Sequence, residues 1–209
     1  YEIGRVLIIG TKFVATDTWP KEIKRWSHTA HLDFSILHGR GKEKRLEDDN
    51  PIHIINREMI PWLVDHWGKN WPYDTVVIDE SGSFRNPQAI RSRKLKKVRN
   101  LMTRVIEMSG TPAPKGLINI FFQIFLLDKG ERFGKFITHF RDDYFYLGYN
   151  GWSWTLKKGA EKQIHDKVAD ICFKPPKEAF QALPEIVPNP IEVTLPDALR
   201  KKYKAFEKE

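Results

Sequence analysis

Two carboxylates stand together at Asp79 and Glu80, directly after the β-branched apolar run Val76-Val77-Ile78. Such a run suits a strand buried on both faces of a parallel sheet. In open α/β sheets ligands sit beyond the carboxyl ends of the strands, so this spacing puts both acids where chemistry is done. An acid in that place can hold magnesium on a nucleotide, and its neighbour can polarise an attacking water. Asp79 is the candidate for the metal and Glu80 for the water. A second strand-like run, Val105-Ile106-Glu107-Met108, ends in Ser109-Gly110-Thr111-Pro112. Small and hydroxylated residues there allow a ligand group to come close. Two more strand ends carry polar and cationic groups, Gly10-Thr11-Lys12 and Asn56-Arg57.

Other patterns exclude as much as they suggest. A phosphate-binding loop requires G-x-x-x-x-G-K-[ST]. Lys42 is followed by Glu43, Lys69 by Asn70 and Lys135 by Phe136, so no glycine–lysine pair in these 209 residues completes it. His28 and His31 have no companion ligands at metal spacing and read as ordinary solvent-facing side chains rather than metal ligands. Lys and Arg number 35 against 27 Asp and Glu, a net charge of +8. That excess favours a polyanionic partner, nucleic acid first; the bland reading is a merely basic soluble protein. Six cations fall between Arg91 and Arg99, a footprint for phosphates or else a solvated helix face. The lone Cys172 rules out a disulfide within the chain and, between Ile171 and Phe173, reads as a small core residue of a protein from a reducing compartment. The start lacks the charge order of a signal peptide. The most apolar run, residues 117–127, is broken by Asn119 and Gln123 and falls short of the ~20 residues a membrane span needs.

The elements that must position these groups alternate. Short apolar runs at residues 6–10, 34–37, 52–55, 76–78 and 105–108 read as strands, with 170–174 a last one. Between them, Trp19, Ile23 and Trp26 mark a helix capped by Asp17 or Thr18, with Pro20 in its first turn. Met59, Leu63 and Trp67 mark a second, and a third starts at Pro87 with Leu95, Val98 and Met102 as its apolar stripe. Helices are predicted over 117–127 and 131–140, and a final one presents Leu199, Tyr203 and Phe206. Aromatics alternate around Asn150-Gly151 between Tyr144 and Trp154, which predicts a tight hairpin whose rings either stack on bases or pack on the body. Strands alternating with amphipathic helices imply an α/β fold, a parallel sheet with helices on both faces.

The ordered set resembles the first RecA-like lobe of a superfamily-two helicase, of the Swi/Snf ATPase branch. Gly10-Thr11-Lys12 with Trp19-Pro20-Lys21-Glu22 resembles its motif Ia, and Ile55-Asn56-Arg57-Glu58-Met59 its motif Ib. Val76 to Ser81 resembles motif II, and Ser109-Gly110-Thr111-Pro112 motif III. Phe84-Arg85-Asn86-Pro87, Gly130-Glu131-Arg132-Phe133-Gly134 and Phe140-Arg141 resemble phage and prophage members, and Leu183-Pro184-Glu185 resembles the exit from the lobe. The resemblance implies a RecA-like, three-layer fold over residues 1–187, with a hairpin insertion at 143–158 and the start of a linker to a second lobe at 188–209.

It further implies a cytoplasmic, bacterial or phage-encoded motor that uses ATP and magnesium to move on DNA. Asp79 would ligate the metal, Glu80 would act as general base, and Ser109, Gly110 and Thr111 would couple hydrolysis to lobe movement. Thr11, Lys12, Asn56, Arg57, Arg85 and Asn86 would touch the duplex backbone. Motif I is not present, so the lobe is expected to be incomplete at its N-terminal end and the chain to be an inactive fragment of a larger ATPase. Ser81-Gly82 stands where the family carries Ala-His, which removes or replaces one coupling contact. The alternative is a non-catalytic DNA-binding or interaction module built on a degenerate lobe.

Overall fold

The computed structural model describes residues 4–113, 116–176, 188–192 and 194–207. Five parallel strands form one sheet in the order β2-β3-β1-β4-β5: β1 (Arg5–Gly10), β2 (Phe34–Ile36), β3 (Ile52–Asn56), β4 (Tyr73–Asp79) and β5 (Arg104–Met108). β1 lies at the centre, with Ile9 opposite Ile55 on one side and Ile78 on the other. Its residues from Leu7 to Gly10 are buried, as an apolar strand flanked on both edges and both faces must be.

The pleat divides the apolar side chains into two cores. Leu7, Ile9, Ile55, Val76 and Ile78 point into the larger one, under α3 (Ile60–Trp67), α4 (Ile90–Val98) and α5 (Phe121–Asp128). Ile8, Ile52 and Ile54 point to the smaller one, closed by Ala15 and by Ile23 of α1 (Trp19–Arg25). Helices therefore cover both faces, unequally. At the β5 end of the sheet, Ile106 and Met108 remain exposed. A short α2 (Lys42–Leu46) follows β2. α6 (Ile137–Tyr144), an antiparallel ribbon of β6 (Phe145–Leu147) and β7 (Trp154–Leu156), and α7 (Ala160–Val168) complete the larger layer. Chain contacts divide the protein after Cys172; in the second unit α8 (Asp197–Phe206) has no buried residue. Leu183-Pro184-Glu185 and the expected 187/188 boundary fall on residues outside those described.

Several sequence expectations are corrected. Helical structure begins at Lys12, well before Asp17 or Thr18, and neither side chain caps it. Pro20 explains the form of this segment, because it offers no N–H to the carbonyl four residues back. Residues Val14–Thr18 widen into a π turn, in which the Trp19 N–H reaches the Val14 carbonyl. Trp26 lies past the end of α1 and is exposed rather than part of its apolar face. α4 starts at Ile90, because the Asn86 side chain accepts from the Gln88 N–H and holds a turn after Pro87.

The helix expected at 131–140 is shifted to Ile137–Tyr144. Asp128 accepts from the N–H groups of Gly130 and Arg132, and Gly130 and Gly134 take positive φ, so the intervening residues turn. Residues 170–174 form no strand, and Cys172 is exposed. The hairpin exists, but its turn is wider than the expected two residues. Asn150 accepts from Trp152 and Ser153, and Gly151 supplies the left-handed position.

Candidate functional site

All five strands run the same way, so their carboxyl ends form one rim. Along it, in sheet order, lie Asn56 and Arg57 after β3, Thr11 and Lys12 after β1, Asp79 and Glu80 after β4, and Ser109 to Thr111 after β5. The acids thus stand between the cation-bearing ends and the hydroxyl-bearing loop. Asp79 pairs with Met108 in register, which brings Glu80 and Ser109 out of the sheet side by side.

Asp79 is half-buried, and its Oδ2 accepts a hydrogen bond from the Trp19 indole N–H at 3.0 Å. The π turn of the N-terminal segment places that indole over the end of β4. Trp19, Ile23, Trp26 and His28 line a groove of about 430 Å³ with Asp79. Glu80 is exposed and takes a left-handed backbone, φ 56° and ψ 56°. Only two non-glycine residues do so among those described. The other, Lys129, sits just past the end of α5, where that conformation commonly ends a helix. At Glu80 it turns the chain sharply out of β4 into the 3₁₀ turn Ser81–Phe84.

The donor set suits magnesium. Both acids offer carboxylate oxygens, one Asp79 oxygen is already oriented, and the described residues contain no cluster of three ligands that would cage an ion alone. A magnesium ion held by one or two carboxylates with phosphate and water needs no more from the protein.

Ser81 and Gly82 are buried beneath the acids. Ser81 Oγ donates to Gln123 Oε1 at 2.9 Å, and Gln123 Nε2 donates in turn to the carbonyls of Pro112 and Asn119 at 2.7 and 3.0 Å. The acid loop and the Ser109–Pro112 loop are therefore bridged through one α5 side chain. Gly82 packs close under the second loop: a Cβ there would meet the Thr111 carbonyl oxygen at 3.5 Å and Ser109 Oγ at 3.7 Å. The Thr111 N–H donates to Ser109 Oγ at 3.2 Å, which curls that loop on itself. Glu107 lies behind Ser81. Burial pushes its pKa up to about 8, against which the neighbouring Ser81 hydroxyl and the Arg99 charge act only in part. Its Oε1 is enclosed without a partner.

The cationic side of the rim is mixed. Lys12 is exposed, and the helical turns hang from its carbonyl and that of Thr11. Asn56 is only 5% exposed and fully engaged. Its Oδ1 accepts from His38, and its Nδ2 donates to Glu58. Asn56 therefore braces the strand ends instead of presenting itself outward. Arg57 pairs with Glu58 at 2.9 Å. Arg85 and Asn86 are exposed beyond the 3₁₀ turn, not on a strand end.

The α4 cations divide. Arg91 donates to the Ser83 carbonyl, Lys94 pairs with Asp65, and Lys96 lies over Phe125 and donates to the Lys135 carbonyl. Arg99 is buried and donates to the carbonyls of Leu126, Leu127 and Met102, closing the end of α5. Only Arg93 and Lys97 remain exposed. A phosphate footprint on α4 is thereby reduced to two side chains.

Gln123 and Glu107 were not anticipated as site residues, and Trp19 was marked for its helix and for motif Ia but not as the partner of Asp79. The signals were faint: a polar residue interrupting an apolar helix, and an acid inside an apolar strand.

A model of the SNF2-related domain matches residues 2–209. Protein p41 of Acyrthosiphon pisum secondary endosymbiont phage 1 is 31% identical over all of this chain and 48% of its own length. The chain therefore spans about half of that relative. Among solved structures, the Sulfolobus solfataricus SWI2/SNF2 ATPase core in complex with dsDNA matches 87% of this chain and 36% of its own, with a TM-score of 0.67 at 20% identity.

Proposed function

The chain belongs to the SNF2-related domain family, and from that premise we propose that it is the first lobe of an ATP-driven motor that moves on DNA. The observation that carries this reading is the rim itself: Asp79 and Glu80 emerge beside Ser109–Thr111, with Lys12 and Arg57 on the neighbouring strand ends. Bound ATP-magnesium would supply the phosphoanhydride and the charge that neutralises its oxygens. Asp79, oriented by Trp19, would hold the metal. Glu80, exposed and unencumbered, would take a proton from water. Gln123 would carry any shift of the Ser81 loop to the Ser109–Pro112 loop, the contact that Ser81-Gly82 left in question.

Lys12, Arg57, Arg85 and Thr11 would meet the phosphate backbone, with Asn56 and Asn86 shaping the turns that present them. Contacts of this kind position the protein without reading sequence. These 209 residues hold no G-x-x-x-x-G-K-[ST] loop, so by themselves they are expected to hydrolyse ATP negligibly.

Two measurements test the reading. Binding of this chain to a duplex should weaken with salt, and Lys12→Ala should lower the slope of log affinity against log salt by about one. In the full open reading frame, Glu80→Gln should abolish hydrolysis and spare nucleotide binding. Unchanged turnover in that variant would remove Glu80 from its role. A rival, non-catalytic reading draws on the substitution at Ser81-Gly82; it predicts DNA binding indifferent to both nucleotide and Glu80.

A further inference from the structure

The β6–β7 ribbon carries an unusual display of rings. Tyr149 and Trp152 at its tip are 113% and 88% exposed, and Tyr146 and Leu147 on β6 are 61% and 54% exposed. The base of the ribbon is anchored, since Phe145 is buried edge-on against Phe140 and the Lys157 N–H donates to the Tyr144 carbonyl.

The tip is ordered as well. Asn150 Oδ1 accepts from the backbone N–H groups of Trp152 and Ser153 and from the Ser153 hydroxyl, at 2.8 to 3.0 Å. The Gly148 N–H donates to the Ser153 carbonyl at 2.7 Å. Two large rings therefore stand on a braced turn, and among the described residues nothing covers them.

Cations interleave with the rings. The Arg141 guanidinium lies over Trp154 at 5.0 Å and the Lys157 ammonium over Tyr146 at 5.4 Å, and Lys158 is exposed next in the chain, at the base of the ribbon. Asp142, Asp143 and Glu161 are the acids nearby in the chain; Lys157 donates to the backbone carbonyl of Asp142, not to a carboxylate. Rings alternating with cations, on a chain of net charge +8, match a ligand that offers a flat π face and a phosphate at each repeat. A single-stranded nucleic acid is such a ligand.

We infer that the ribbon tip is a single-strand contact, in which Tyr149 and Trp152 stack on unpaired bases while Lys158, at the base of the ribbon, meets a phosphate farther along the same strand. The inference rests on the DNA reading above and adds an element and a strand state to it. Stacking needs a base already out of the duplex, so this contact favours unpaired strands and junctions over intact duplex, whereas the rim contacts do not discriminate.

The test uses this chain, a fluorescent oligothymidylate and a duplex of equal length, each titrated over a range of salt. Trp152→Ala and Tyr149→Ala should each weaken single-strand binding about tenfold. The salt slope should stay the same, because no phosphate contact is removed. Trp152→Phe should restore most of the affinity, and duplex binding should hardly move. These side chains are exposed, so unchanged thermal unfolding will show that the variants fold.

If wild type binds DNA with the expected salt dependence and both alanine variants bind single strands equally well, the ribbon contact is overturned and the DNA reading stands. If the variants instead change only self-association in sizing experiments, the rings cover a second copy and the inference is likewise overturned. If wild type binds neither DNA, both readings fall together.

Discussion

The indole N–H of Trp19 donates to the carboxylate of Asp79 at 3.0 Å, across 60 residues of chain. The bond fixes one oxygen of the acid and leaves the other open on the rim. Hydrogen bonds to a charged group contribute about 1.5–3 kcal/mol, and partial exposure reduces that. Trp19→Phe is expected to cost about 1 kcal/mol of stability, and Asp79→Ala about the same. A double-mutant cycle by denaturant unfolding should return a coupling near that value. Strict additivity would mean that the pair contributes nothing.

Glu80 holds a left-handed backbone that a side chain adopts at a cost of about 1–2 kcal/mol. Strain of this kind persists where the position has work to do. Glu80→Gly should therefore leave the fold as stable or raise it by about 0.5–1 kcal/mol, while removing the carboxylate the motor reading requires. Urea unfolding reads the first effect, and a clear loss of stability would show that the backbone is relaxed there.

Glu107 gives the fold a pH dependence of defined sign. Its pKa is about 8 in the folded chain against an ordinary 4.5. Between those values the unfolded chain releases a proton that the folded chain keeps, so this group makes stability fall as pH rises from about 4.5 to about 8. Glu107→Gln should flatten that limb, unfolding at a higher temperature than wild type at pH 8 and close to it at pH 4.5. His53 works on the acid side. Burial lowers its pKa from 6.5 to about 4, so the unfolded chain takes a proton first and stability falls as pH drops through that window. A wild-type curve in which Glu107→Gln changes nothing above pH 6 would refute the assignment.

Arg99 and Arg93 lie within one helical stretch and should behave oppositely. Arg99→Ala leaves buried carbonyls at the end of α5 without their donor, and a loss of about 2–4 kcal/mol is expected. Arg93→Ala, at an exposed site, should change stability by less than about 0.5 kcal/mol. Thermal unfolding of the two variants side by side decides the matter; equal effects would contradict the division of the α4 cations.

The order of elements was legible because burial on both faces forces apolar runs. The strands at 6–10, 52–55 and 105–108 appeared within a residue of their bounds, and 76–78 lies inside the longer strand Tyr73–Asp79. Boundaries failed where a side chain or a proline diverted the backbone locally. Pro20 produced a π turn in place of a capped start, Asn86 delayed α4, and Asp128 with two glycines moved α6. Such bonds compete with helix formation at the scale of single residues, which periodicity does not register.

The sequence alone determined that two acids, a hydroxyl-bearing loop and two polar strand ends would follow buried strands, since β-branched runs next to such residues admit little else. It did not determine their order along the rim, because strand order is a property of packing and not of succession. Only the tertiary structure set the acids between the cationic ends and the Ser109–Thr111 loop. It also supplied Trp19 and Gln123, whose partners lie 60 and 42 residues away, and it tied down most of the α4 cations. Contacts over such distances are selected by the shape of the packed core, and no local pattern records them.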